Sequence, residues 1–188
     1  MAEFRLVLAS GSARRRELLA RAGIPFVAVT PSVDELAPER GDPHAVARAN
    51  ARRKAQAVPG DAVLAADTVV ALGDRLIGKP RDDRDARAIL RGLSGTTHRV
   101  VTAVALRTPR GLLEGSVETR VTMRPLSDAE IDEYVATGEA AGKAGAYAVQ
   151  ESGDRFVLAM DGPYDNVVGL PVECVRALFR QAGLTIGA

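Results

Sequence analysis

Two β-rich runs, 97–107 and 112–123, joined through Pro109-Arg-Gly111, read as one long hairpin, and this hairpin constrains the fold more than any other feature. Upstream of it strand and helix signals alternate instead: strand 4–9, helix 12–22, a short strand near Val27, and a loop Pro31-Ser-Val-Asp-Glu35. Asp42 and Pro43 then open a helix to about Val58, and Asp61 to Ala66 reads as a buried strand that ends at Asp67. Thr68 to Ile77 folds back around Gly73-Asp74. Alternation followed by hairpins predicts an α/β chain with a mixed, strongly curved sheet, flanking helices and two lobes around a central cleft.

Downstream, Asp82 or Asp83 caps a helix reaching Leu93, and Ser127-Asp-Ala-Glu130 is a capping box for a helix over 127–137 that Gly138 stops. A Gly-rich loop with Lys143, a strand Tyr147 to Gln150, a strand Arg155 to Met160 and a loop Asp161 to Gly169 follow. The last helix carries Val172, Val175, Leu178 and Phe179 on one face. With 188 residues, no linker and no repeat, the chain is expected to form a single domain over 1–188, or two intimately joined lobes.

Charge and cysteine content exclude several function classes. A formal charge of +1 provides no global field for nucleic acid or an anionic membrane, so any anion site must be local. No signal-peptide profile or membrane-length apolar run is present, which places the protein in the cytoplasm as an expectation. The single cysteine, Cys174, excludes an internal disulfide, and His44, His98 and Cys174 are too few for a structural zinc site.

The segment Leu8-Ala-Ser-Gly-Ser-Ala-Arg-Arg-Arg-Glu-Leu-Leu19 runs from an apolar strand through a small turn into a helix whose first turn is basic. Gly11 permits a sharp turn and Ser12 can cap the helix, so free amide donors and the positive dipole end share a space with Arg14 and Arg15. Cations there oppose the dipole. That penalty points to an anionic ligand, against the alternative of a solvated basic helix end.

In α/β sheets ligands gather beyond strand carboxyl ends, so the Ser10 turn and Asp67 would line one crevice if their strands are neighbours. A phosphate grip beside a carboxylate suits metal-assisted phosphoryl chemistry, with Glu35 as a second carboxylate. Taken singly, Asp67 reads slightly better as a helix cap or turn residue and Glu35 as a solvated loop acid; taken together, the site reading is favoured. Of 25 basic residues only Lys54, Lys79 and Lys143 are lysine, which marks each as a place where a compact, mobile ammonium is wanted. Lys54 shares a helix face with Asn50. Gly73 to Lys79 has the spacing of a P-loop, but Pro80 stands where that motif needs Ser or Thr, and the P-loop is rejected. No Gly-x-Ser-x-Gly elbow or dinucleotide fingerprint is present.

In order along the chain, Leu8-Ala-Ser-Gly-Ser-Ala-Arg-Arg, Ser32-Val-Asp-Glu35, Ala66-Asp-Thr68, Gly78-Lys-Pro80, Ser94-Gly-Thr-Thr-His98, Gly142-Lys-Ala-Gly-Ala-Tyr147 and Asn166-Val-Val-Gly-Leu-Pro171 resemble the motifs of the Maf proteins, nucleoside triphosphate pyrophosphatases once associated with septum formation. Ala13 stands where that family usually has proline. The resemblance implies hydrolysis between the α and β phosphates of a nucleoside triphosphate, with a divalent cation, Mg2+ or Mn2+. It implies Asp67 as proton acceptor, Glu35 and Asp67 as metal-linked carboxylates, Lys79 in a catalytic role, and Ser10, Arg14, Arg15 and Lys54 as the phosphate environment. Arg14, Thr68 and Gln150 match the branch that resembles dTTP and UTP hydrolases; a glutamate at the last position would suggest methylated guanine nucleotides instead. Gln150 offers a pyrimidine edge both a donor and an acceptor. Homodimers are common in that family. The rival reading is a nucleotide-sensing regulator of cell division that binds a triphosphate without hydrolysing it.

Overall fold

The computed structural model describes residues 5–184. Its strands are β1 Leu6–Ala9, β2 Val27–Val29, β3 Ala62–Leu72, β4 Arg75–Ile77, β5 Thr97–Thr108, β6 Gly111–Met123 and β7 Val157–Asp161. The helices are α1 Ala13–Arg21, α2 Pro43–Ala57, α3 Asp83–Leu93, α4 Asp128–Ala136, α5 Tyr164–Val168 and α6 Val172–Ala182. The sheet is mixed, in the order β2-β1-β3-β5-β6-β7, with β4 on β3. Pairing is parallel for β1 with β2 and β3, and antiparallel elsewhere.

Local chemistry explains the helix starts. The Ser12 hydroxyl accepts from Arg15 N at 3.5 Å, the Asp42 carboxylate from His44 N at 3.0 Å with Pro43 in the first turn, and the Asp82 carboxylate from Asp85 N at 2.7 Å. Both halves of the capping box form at α4: Glu130 N donates to the Ser127 hydroxyl and Ser127 N to the Glu130 carboxylate. The long hairpin forms as β5 and β6, in continuous register from Thr97–Thr122 to Thr108–Gly111.

Period-two alternation along β3 distributes its side chains between two layers. Leu64 and Ala66 face a core with α1 and α6, where Leu19, Val175, Leu178 and Phe179 are buried. Val63 and Ala65 face α2, whose Ala47, Ala51 and Ala55 recur every fourth residue and let the helix lie close on the sheet. A third cluster around Leu90, Tyr134 and Phe156 closes the far end.

Four expectations are corrected. β3 does not end at Asp67 but runs on to Leu72, because its outer residues pair with β4 and Val63 to Ala71 pair with β5. Tyr147 to Gln150 is not a strand: Ala148 N donates to the Tyr134 hydroxyl at 3.1 Å and Ala148 O accepts from Glu151 N at 3.3 Å, so side chain and local turn take the groups a partner strand would need. The last strand begins at Val157, after a 3-10 turn over Ser152–Phe156, and the expected loop 161–169 contains α5. Phe4, the expected start of the first strand, lies outside the described residues.

Candidate active site

The sheet has a notch. β1 covers β3 at Leu6–Ala62 through Ala9–Ala65, and β4 takes up the same edge only from Val70–Ile77. Between them, Ala66 to Val69 have no strand neighbour on that side, and Asp67 and Thr68 sit in the gap. β1 ends there too, and the Ser10 turn leads from it into α1. The Gly11 turn presses against Thr30: a Cβ at Gly11 would meet the Thr30 side chain at 3.2 Å, a tight fit for any larger residue.

A cavity of about 850 Å³ opens at the notch. Ser10, Arg14, Arg15, Glu35, Lys54, Asp67, Thr68, Lys79 and Gln150 all line it, so every residue singled out for substrate or metal reaches one space. All three lysines of the chain are among its walls, Lys143 included. Six basic and four acidic side chains line it, a local excess of positive charge in a nearly neutral chain.

On the α2 side, Asp67 is buried and both its oxygens are engaged. Lys54 Nζ donates to Oδ1 at 2.6 Å and Asn50 Nδ2 to Oδ2 at 3.0 Å. Lys54 also lies 2.7 Å from Glu35 Oε1, and Lys79 Nζ donates to Glu35 Oε2 at 2.9 Å. The Asp67 and Lys54 side chains are only 8% and 7% exposed, so this pair bears a desolvation cost that a surface pair escapes. Burial alone would raise the Glu35 carboxyl, but hydrogen bonds and charge from Lys54 and Lys79 outweigh it and hold the group at about 2.

Asn50 was not among the expected site residues. Its side-chain oxygen accepts from Leu36 N at 2.7 Å and its amide nitrogen donates to Leu36 O at 3.0 Å, which anchors the loop carrying Glu35. The signal was present in the four-residue spacing to Lys54. Lys143, Tyr147 and Tyr164 also line the cavity. Lys143 is held by the Glu139 carbonyl and by Glu151, at 3.0 Å.

On the other side of β3, Arg15 Nε donates to Gly169 O at 2.7 Å and Nη2 to the Thr68 hydroxyl at 3.0 Å. Burial lowers the Arg15 pKa against the opposing charges of Asp67 and Glu35, yet a guanidinium stays charged at any physiological pH. Gly169, at φ +122°, admits this approach: a Cβ there would stand 3.3 Å from the Thr68 hydroxyl and 3.5 Å from Arg15 Nε.

A buried carboxylate, a fixed guanidinium and three ammonium groups around one polar cavity can bind a polyphosphate and take a proton from water beside it. The family model of the Maf-like proteins matches residues 5–182. The chain belongs to the Maf-like protein family. Relatives named dTTP/UTP pyrophosphatase are similar to it over nearly their whole length. That of Anaeromyxobacter dehalogenans is 50% identical over 186 residues, covering 97% of this chain and 96% of the relative. That of Myxococcus xanthus is 48% identical over 188 residues, covering 96% and 94%. That of Thermus thermophilus is 46% identical over 178 residues, covering 95% of both chains. The Maf-like segment thus includes both the notch and the loops that close the cavity.

Proposed function

We propose that the protein hydrolyses the α-β phosphoanhydride of nucleoside triphosphates, dTTP and UTP foremost, to a nucleoside monophosphate and pyrophosphate. The single observation that carries this reading is the shared cavity in which the Asp67 carboxylate, paired with Lys54, is joined by Arg14, Arg15 and Lys79. The names of the Maf-like relatives agree with it.

In this mechanism Arg14, Arg15, Lys54 and Lys79 bind and orient the triphosphate, with the Ser10 turn and the start of α1 supplying donors. Asp67 takes a proton from the attacking water as the α phosphorus is attacked, and the bond to the bridging oxygen breaks to release pyrophosphate. Lys54 fixes the Asp67 carboxylate by its 2.6 Å hydrogen bond and would follow the charge that develops on the phosphates. Asn50 keeps the Glu35 loop against this centre.

Glu35 and Asp67 would hold a divalent cation, Mg2+ or Mn2+, through their hard carboxylate oxygens; Lys54 Nζ stands between them, at 2.7 Å and 2.6 Å, so the cation would take the place of that ammonium. Among the described residues no group of three or more His, Cys, Asp or Glu side chains is placed to hold a metal ion alone. Two carboxylates completed by substrate phosphate oxygens and water is the usual arrangement for magnesium. When bound, the cation supplies neutralisation of phosphate charge.

The base is read by Thr68 and Gln150, and Arg14 lies at the phosphate end. Localisation in the cytoplasm, a single domain over 1–188 and a homodimer complete the proposal. The first is compatible with the finding that no helix among the described residues is long and apolar enough to cross a membrane. The test is incubation with dTTP, UTP, CTP and GTP plus magnesium, with product identification. Pyrophosphate and monophosphate are expected; orthophosphate and a diphosphate would refute the bond assignment.

A further inference from the structure

The mechanism leaves unused a row of buried polar groups beneath the cavity floor. Thr102 of β5 lies opposite Thr68 in the β3–β5 register and is fully buried, as is Asn166 of α5. Thr102 N donates to Asn166 Oδ1 at 3.2 Å and the Thr102 hydroxyl donates to Asn166 O at 2.8 Å. The Thr68 and Thr102 hydroxyl oxygens are 2.9 Å apart. Arg15 closes the row on Thr68 at 3.0 Å.

Hydroxyl stoichiometry fixes the direction of every bond. A hydroxyl has one proton and two lone pairs. The Thr102 proton goes to the Asn166 carbonyl, so in the bond between the two threonines Thr68 is the donor. Arg15 occupies one Thr68 lone pair. What Thr68 still offers the cavity is the other lone pair, an acceptor and nothing else. Asn166 cannot reverse the row by turning its amide, since Nδ2 donates to Val100 O at 2.9 Å and to the Thr119 hydroxyl at 3.0 Å. A turned amide would set oxygen against the Val100 carbonyl and nitrogen against the Thr102 N–H.

Thr68 also stands on the less ionic wall. Val167, Val168 and Tyr164 line the cavity from α5, and the Tyr164 hydroxyl donates to Val149 O at 3.1 Å, tying that helix to the turn that carries Gln150. Apolar surface and neutral hydrogen-bonding groups suit a flat nucleobase better than a phosphate.

We infer that Thr102 and Asn166 are positioning residues that hold Thr68 as an acceptor-only group, and that this polarity selects bases presenting an N–H at that point. Uracil and thymine carry a proton on N3. Cytosine carries a lone pair there, which would face the Thr68 lone pair with no proton between them. The assignment rests on the proposed hydrolysis insofar as a pyrimidine nucleotide occupies the cavity.

The experiment measures kcat/KM for UTP and CTP with the wild-type protein and with Thr102→Val, Thr102→Ser and Thr68→Val. In Thr102→Val the Thr68 proton loses its acceptor and can turn into the cavity, so the preference for UTP over CTP is expected to narrow about tenfold, largely through better use of CTP. Thr102→Ser keeps the hydroxyl and is expected to keep the wild-type ratio. Thr68→Val leaves the Thr102–Asn166 bond in place and guards against misfolding of Thr102→Val; there UTP use is expected to fall more than CTP use, so the ratio narrows. A wild-type UTP to CTP ratio in folded Thr102→Val, whatever its turnover, or in Thr68→Val, overturns the assignment and leaves the hydrolase reading standing. A wild-type protein that releases pyrophosphate from neither nucleotide overturns the hydrolase reading, and this assignment with it.

Discussion

Asp67 and Thr68 are neighbours in sequence, yet they build opposite walls of one cavity from different materials. The Asp67 wall is ionic: Lys54 bridges Asp67 and Glu35, and Lys79 covers Glu35 from outside. The Thr68 wall is a row of hydroxyl and amide groups ending on Arg15, with directions that cannot be exchanged. Ammonium groups can trade one carboxylate for a phosphate oxygen with little geometric demand, which suits a site where charge moves during reaction. A hydroxyl row of fixed direction, with one lone pair left open at Thr68, cannot trade, which suits recognition. The two walls divide chemistry from selection, and β-strand alternation is what separates them.

The difference can be broken most sharply at Asp67. Asp67→Asn keeps the side-chain shape but cannot accept a proton and sets its NH2 against one of the two donors, Lys54 or Asn50, so kcat should fall by about 10²- to 10⁴-fold with an unchanged far-UV spectrum. Unchanged turnover would remove Asp67 from the mechanism and merge the two walls into one binding surface. Lys54→Met should lower turnover and act on stability as well. It leaves Asp67 buried without its counter-charge, at a cost of about 3 kcal/mol in urea unfolding at neutral pH. A loss of a few tenths would mean that the bridge is as inconsequential as an exposed pair.

The smallest effect sharpens the comparison by pH. Glu35 is held at about 2, below its ordinary 4.5, so it contributes stability that is fully present above 4.5 and lost as pH falls through about 2. Wild-type urea midpoints should therefore drop across that window, and Glu35→Gln should flatten the drop. An identical acid profile in the two proteins would show that the lysine bridge does not stabilise the fold through Glu35. Substitutions on the Thr68 wall should leave this profile untouched, since that row holds no titrating carboxylate.

Much of this was legible before the fold was known. The serine cap of α1, the Pro43 start of α2, the box at Ser127 and the hairpin through Pro109 depend on groups a few residues apart, and local chemistry decides them. The rarity of lysine pointed to Lys54, Lys79 and Lys143, and all three line the cavity. Asp67 was assigned to a strand end because a charged residue after an apolar run reads as a boundary. In the molecule it is internal to β3, and the Lys54 ammonium together with the Asn50 amide makes that position tolerable. Tyr147 to Gln150 had strand-like composition, but Tyr134 took the Ala148 amide from outside the segment.

By itself, then, the order of residues determined the local elements, the supply of cations and carboxylates, and the alternation that turns Asp67 and Thr68 apart. Tertiary structure alone decided that β1 stops short and β4 starts late on the same edge of β3, which opens the notch. It alone brought Asn166 under Thr102, from 64 residues away. The physical reason is that strand register and buried hydrogen-bond direction are set by partners distant in sequence, whose pairing no local pattern encodes.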